Sequence, residues 1–119
     1  MATLVIVDDS SFMRRMLKDI VSRAGHEVLA EAGDGAAGID AWAAHHPDVV
    51  TLDLAMPTMD GESALAAIKR RDPAARVIVC SSQVQDEIIH RCLAGGADAF
   101  IGKPFQAEDV LRTLERVLK

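Results

Sequence analysis

Asp48-Val-Val-Thr-Leu-Asp-Leu-Ala-Met-Pro-Thr-Met-Asp-Gly61 is the stretch that decides the fold. Val49 to Leu52 form a short apolar run rich in β-branched residues and flanked by acids, the pattern of a strand buried on both faces of a parallel sheet. Asp53 stands at its end. An unpartnered carboxylate is too costly to hide in such a strand, so its place predicts an open edge where chemistry is done. Pro57 and Gly61 hold the following segment as a loop and keep that edge uncovered until the next helix starts.

Upstream, Leu4 to Val7 reads as a first strand, ended by Asp8-Asp9-Ser10-Ser11, where an Asp or Ser can cap a helix. That helix runs to Ala24 on an apolar stripe of Phe12, Met13, Met16, Leu17, Ile20 and Val21, with Gly25 as its stop. Glu27 to Glu31 is a weaker strand. Asp34 to about His46 is a second helix with a small-residue face of Ala36, Ile39 and Ala43, closed by Pro47; Trp42 on it reads as a partly exposed packing residue. Downstream, Glu62 to Arg71 is a third helix carrying Leu65 and Ile68 inward, and Val77 to Cys80 is a fourth strand running into Ser81-Ser82, either of which could cap the next helix. Ile88, Ile89, Cys92 and Leu93 mark a fourth helix ended by Gly95-Gly96. Ala99 to Ile101 is a fifth strand before Gly102-Lys103-Pro104, and the last helix turns Val110, Leu111, Leu114, Val117 and Leu118 inward.

Five strands alternating with five helices through short connections predict an α/β fold, a doubly wound five-stranded parallel sheet. A chain of 119 residues makes one domain, and with half of them hydrophobic it can bury one sizeable core. The expectation is a single domain over residues 1–119 with no output domain. There is no Tyr and one Trp, so that core is aliphatic. A net charge of −5 argues against nucleic acid or an anionic membrane as the main partner and favours other proteins. Leu4 to Val7 is far too short for a signal peptide or a membrane span, which makes the cytoplasm the expected compartment and a monomer the expected state. Cys80 and Cys92 have no metal-ligand spacing and read as reduced core residues. His26, His45, His46 and His90 are scattered, with no spacing that links them as ligands.

The unusual polar residues fall just after strands: Asp8 and Asp9 after the first, Asp53 after the third, Ser81 after the fourth, Lys103 after the fifth. In a parallel sheet these ends share one edge, where open α/β sheets bind ligands. With strand order 2-1-3-4-5, the third strand lies between the first and the fourth, and the residues become one cluster. Carboxylates about 4 Å apart repel by about 4 kcal/mol at an effective dielectric of about 20. One lysine leaves that charge unbalanced. A hard divalent cation balances it, and oxygen donors without clustered His or Cys favour Mg²⁺, with Mn²⁺ as a substitute. A metal, an ammonium and a hydroxyl converging on one carboxylate are the parts that stabilise a transferring phosphoryl group, with Asp53 as nucleophile.

Asp8-Asp9, Asp53 followed by Met-Pro-Thr-Met-Asp-Gly beyond Ala55, Ser81, and Lys103-Pro104-Phe105 together resemble the receiver domain of two-component response regulators, in particular the single-domain chemotaxis type with its flavodoxin-like (βα)5 fold. The resemblance implies that Asp53 accepts a phosphoryl group from a histidine kinase, and that Asp9, Asp53 and the Ala55 backbone carbonyl bind Mg²⁺ directly while Asp8 acts largely through water. It implies that Ser81 and Lys103 hold the phosphoryl oxygens and that the Lys103–Pro104 bond is cis. It further implies a switch in which Ser81 moves toward the phosphoryl group, Phe100 swings into the freed space, and the face of the fourth helix, fifth strand and fifth helix changes shape. The protein would catalyse only its own phosphorylation and dephosphorylation, and its output would be protein binding, for example to a flagellar motor switch protein or a phosphatase. Phe100 replaces the tyrosine of some chemotaxis regulators, and Ala55 and Gln83 occupy places that tune the lifetime of the acyl phosphate. The competing readings are the receiver portion of a larger regulator (methylesterase or transcription factor) and an inert docking receiver. A flavodoxin-like cofactor binder would need a phosphate-accepting loop where Asp8-Asp9 stand, and an aspartyl-phosphate phosphatase an Asp-x-Asp motif there.

Overall fold

A computed structural model describes residues 1–119. The elements alternate strictly: β1 (Thr3–Val7), α1 (Ser11–Arg23), β2 (Glu27–Ala32), α2 (Gly35–His45), β3 (Val49–Leu52), α3 (Gly61–Arg71), β4 (Val77–Ser81), α4 (Asp86–Ala94), β5 (Ala99–Gly102) and α5 (Ala107–Leu118). The strands form one parallel sheet in the order β2-β1-β3-β4-β5, so the expected topology stands. No helix is long and apolar enough to cross a membrane.

The sheet separates two apolar layers, and strand alternation assigns residues to each. Val5, Val7, Val50, Leu52, Val77 and Val79 face α2 and α3. Leu4, Ile6, Val49, Ile78, Cys80 and Ile101 face the other way, where Leu17 and Val21 of α1 meet Val110 and Leu114 of α5. Thr51, between Val49 and Leu52, belongs to the second face. Its hydroxyl is buried without a protein hydrogen-bond partner.

Several local expectations need correction. Trp42 is buried at 9% exposure, and α2 turns Gly35, Gly38, Ile39 and Trp42 inward; of the expected face Ile39 and Ala43 pack on the core, and Ala36 is exposed. The glycines decide this: a Cβ at Gly38 would lie 2.8 Å from Val7 Cγ1, and one at Gly35 would lie 2.8 Å from the Met59 carbonyl oxygen. Only residues without a side chain allow α2 so close, and the helix therefore rotates until they face the sheet. Phe12 leaves its stripe and is 67% exposed, because the first turn of α1 lies at the carboxyl edge, where the strands end. Leu93 is likewise exposed. Of the Asp and Ser candidates for the α1 cap, Ser10 takes the position and accepts from the Met13 amide, as the sequence allowed. Neither Ser81 nor Ser82 caps α4, whose N-cap position is Gln85. Both cysteines are free and buried, as expected.

Candidate functional site at the carboxyl edge of the sheet

β1 and β3 are neighbours in register, Val7 opposite Leu52, so the residues that follow them emerge side by side. The Asp53 amide donates to the Val7 carbonyl at 2.9 Å and the Asp8 amide to the Ala32 carbonyl at 3.0 Å, which extends the ladder one step beyond each strand. Asp8 is thereby held at 1% exposure and Asp53 at 5%, while Asp9 faces solvent. One carboxylate oxygen from each of Asp8, Asp9 and Asp53 lies within 4.8 Å of the others. From the far side of β4, Lys103 reaches in. Its amide donates to the Ser81 carbonyl at 2.9 Å, and its Nζ lies 2.8 Å from Asp8 Oδ2 and 3.4 Å from Asp53 Oδ1. The Lys103–Pro104 peptide bond is cis.

Electrostatics pull the two partners in the same direction. Burial, reinforced by the Asp8 charge, pushes the Asp53 carboxyl above its ordinary range, and the Lys103 ammonium opposes that without overcoming it. For Lys103, burial favours the neutral amine, but the hydrogen bond to Asp8 and the charges of Asp53 and Asp8 outweigh it, so its pKa rises and the ammonium persists. The donor set is all oxygen, with no His or Cys, and one ammonium faces three acids. That chemistry fits a hard divalent cation. Asp8 has both oxygens engaged, Oδ1 by the Ser10 amide at 2.9 Å and Oδ2 by Lys103, which leaves Asp9 and Asp53 as the freer donors.

The structure thus brings Asp8, Asp9, Asp53 and Lys103 together. Ser81 is buried at the end of β4, but its hydroxyl accepts from the Gln83 amide at 3.0 Å and makes no hydrogen bond to the carboxylates. Ala55 follows in the exposed loop, and Phe100 sits half-buried on β5 opposite Val79. Sequence reading missed two supports. Arg14 donates to the Asp8 carbonyl at 2.6 Å and pairs with Glu31 at 3.2 Å; an arginine one turn into α1 carried no signal of either contact. Gly61 passes so close to the loop that a Cβ there would lie 2.1 Å from the Asp53 carbonyl oxygen, and its amide donates to the Leu54 carbonyl. The Asp-Gly pair at the start of α3 was the available clue, read only as a turn.

A family model for the response regulator receiver domain matches residues 4–115, and the chain belongs to that family. Acting as a phosphoacceptor in two-component signalling is general for these domains. Among individual relatives, the chain is 46% identical over 115 residues to the chemotaxis protein CheY of Bacillus subtilis, covering 97% of this chain and 96% of that one. It superposes with a TM-score of 0.96 on a chain of the CheX-CheY-BeF3-Mg complex from Borrelia burgdorferi, at 35% identity, covering 98% of this chain and 89% of that one. The response regulator domain of Thermotoga maritima CheB matches with a TM-score of 0.90 at 34% identity, over 98% of this chain and 95% of that one.

Proposed function

We propose that Asp53 is the phosphoacceptor of a chemotaxis signalling switch. The observation that carries the reading is the Lys103 ammonium spanning the Asp8 and Asp53 carboxylates in a buried acidic cluster at the sheet's carboxyl edge. Asp53 attacks the phosphorus of a phosphohistidine in a kinase, forming an acyl phosphate while the imidazole leaves. Lys103, held charged, stabilises the oxygens of the transferring group, and the Ser81 hydroxyl can turn from the Gln83 amide to donate to one of them. Asp9, Asp53 and the Ala55 carbonyl would hold Mg²⁺, or Mn²⁺ in its place, with Asp8 acting through water. Bound there, the ion supplies the positive charge that the single lysine lacks. The chain catalyses only the gain and loss of its own phosphoryl group.

On this reading Ser81 and Phe100 carry the change to the face of α4, β5 and α5, which binds a flagellar motor switch protein, and a phosphatase of the chemotaxis system resets it. The protein acts as a cytoplasmic monomer. Incubation with Mg²⁺ and acetyl phosphate should add the mass of one phosphoryl group, and Asp53→Asn should abolish the gain; an unmodified wild type would refute the proposal. The likeness to a CheB response regulator domain favours a second reading, the receiver of a larger methylesterase. Phosphorylation at Asp53 is common to both. An open reading frame continuing past Lys119 would select the second.

A further inference from the structure

The Thr51 hydroxyl is the one buried side-chain polar atom without a hydrogen-bond partner. Thr51 lies opposite Ile6 on β1 and Ile78 on β4, in a row that continues to Ala99 on β5. The next row toward the carboxyl edge, two residues further along each strand, is Asp8, Asp53 and Cys80, with Ile101 beside Cys80. Thr51 is therefore the floor directly beneath the phosphoacceptor. Ile6 and Ile78 flank it on the neighbouring strands, both members of the apolar cluster that also holds Leu4, Val49, Leu17 and Val110 on this side of the sheet. Valine would fill the same volume, keep the β-branch and leave nothing unsatisfied, so packing does not explain the hydroxyl.

Thr51 and Asp53 point to the same side of the sheet about 6.6 Å apart along the strand, and with no direct bond from the Thr51 hydroxyl, one water can bridge the two side chains. Such a water needs two to four polar partners; the Thr51 hydroxyl and the Asp53 carboxylate above it supply them. We infer that Thr51 is a positioning residue of the Asp53 site, holding a buried water that hydrogen-bonds the Asp53 carboxylate from beneath and fixes its orientation. The inference rests on the reading of Asp53 as phosphoacceptor. Thr51 touches neither the phosphodonor nor the metal ligands' outer side, and acts only through the carboxylate it steadies.

Two variants of the full chain test this, Thr51→Val and Thr51→Ser, followed by acetyl phosphate labelling with Mg²⁺, thermal melts, and a high-resolution crystal structure of the wild type. Thr51→Val should melt at or above the wild-type temperature yet take up phosphate about tenfold more slowly, the effect of losing one hydrogen bond to a charged group. Thr51→Ser should restore the rate even though it loses a buried methyl group. The wild-type crystal should show a water within hydrogen-bond distance of Thr51 Oγ1. A Thr51→Val protein labelled at the wild-type rate, or a crystal without that water, overturns the role of Thr51 and leaves Asp53 as phosphoacceptor untouched. A wild type that takes no phosphate refutes the functional reading itself.

Discussion

Replacing Asp53 by Asn should make the unphosphorylated protein more stable. The carboxylate is 5% exposed, and burial is the largest influence raising its pKa, with Asp8 adding to it. At an effective dielectric of about 20, a second carboxylate 4.8 Å away repels it by about 3.5 kcal/mol. Lys103 at 3.4 Å returns about 5 kcal/mol of attraction on the same scale. Burial of the charge costs several kcal/mol more, so the balance stays unfavourable. The exposed Asp9 adds little through solvent screening. Asn keeps the shape and can turn its carbonyl toward Lys103, and we expect a gain of about 1–2 kcal/mol at neutral pH, or about 4–8 °C in Tm. The sign with pH follows from linkage. In the folded chain the Asp53 pKa lies above its ordinary value of 3.8, so wild type loses stability as pH rises from that value through the folded pKa. The advantage of Asn is therefore full at pH 7, shrinks as pH falls through the folded pKa, and is gone below 3.8, where the carboxyl is neutral in both states. Urea unfolding of both proteins from neutral to acid pH measures the gap. Excess Mg²⁺ should narrow it, because only wild type keeps the full ligand set. An Asn variant no more stable than wild type at neutral pH, or an advantage that persists in acid, would refute the electrostatic reasoning.

Lys103→Met should destabilise by about 3–5 kcal/mol in urea, since it leaves Asp8, at 1% exposure, without its counter-ion. Made in the Asp53→Asn background, the same change should cost less, and a double-mutant cycle reads the coupling. Gly61→Ala should cost more than about 3 kcal/mol and abolish phosphorylation, because its Cβ would meet the Asp53 carbonyl oxygen and Leu54 Cα, both backbone. Native-state hydrogen exchange should find α4 the least protected helix: Cys92 is its one buried residue, and its N-cap makes no side-chain hydrogen bond.

The order of elements and the gathering of acids were legible because they rest on strong, local signals. Continuous β-branched runs such as Val49–Leu52 and Val77–Cys80 mark strands buried on both faces, and parallel crossovers then put Asp8, Asp9, Asp53 and Lys103 on one edge. What was not legible depends on close approach between elements. The inward face of α2 is set by how near Gly35 and Gly38 come to Met59 and Val7, and alanines at helical spacing imitate a buried face without one. Phe12 fits its stripe, but the strands end before they can cover it. The Ser81 hydroxyl reads as part of the cluster from its position, whereas the turn after β4 gives it the Gln83 amide as partner.

The site's cost and the fold's weakest attachment lie next to each other. Each strand is pinned on both sides except β2 and β5 at the edges, and the charge that the fold must tolerate is confined to the row beyond β1 and β3. Lys103 carries that row's balance from β5, and β5 is also the strand over which α4 lies. α4 is tied to α3 by Cys92, which packs in one cluster with Leu65 and Ile68, and by the Glu62–Arg91 pair, bidentate at 2.9 Å for both bonds. The pair is largely solvent-exposed, so screening leaves it a weak hold. On the proposed reading, a group that changes the charge on Asp53 would act first on Lys103, the ammonium 3.4 Å away, and through it on β5 and α4. In the opposite layer α1 is held by Leu17 and Val21, which pack with Val110 and Leu114. On the proposed reading, a change of one charge at the carboxyl edge would be expressed through β5 and α4, the side of the sheet where displacement costs least.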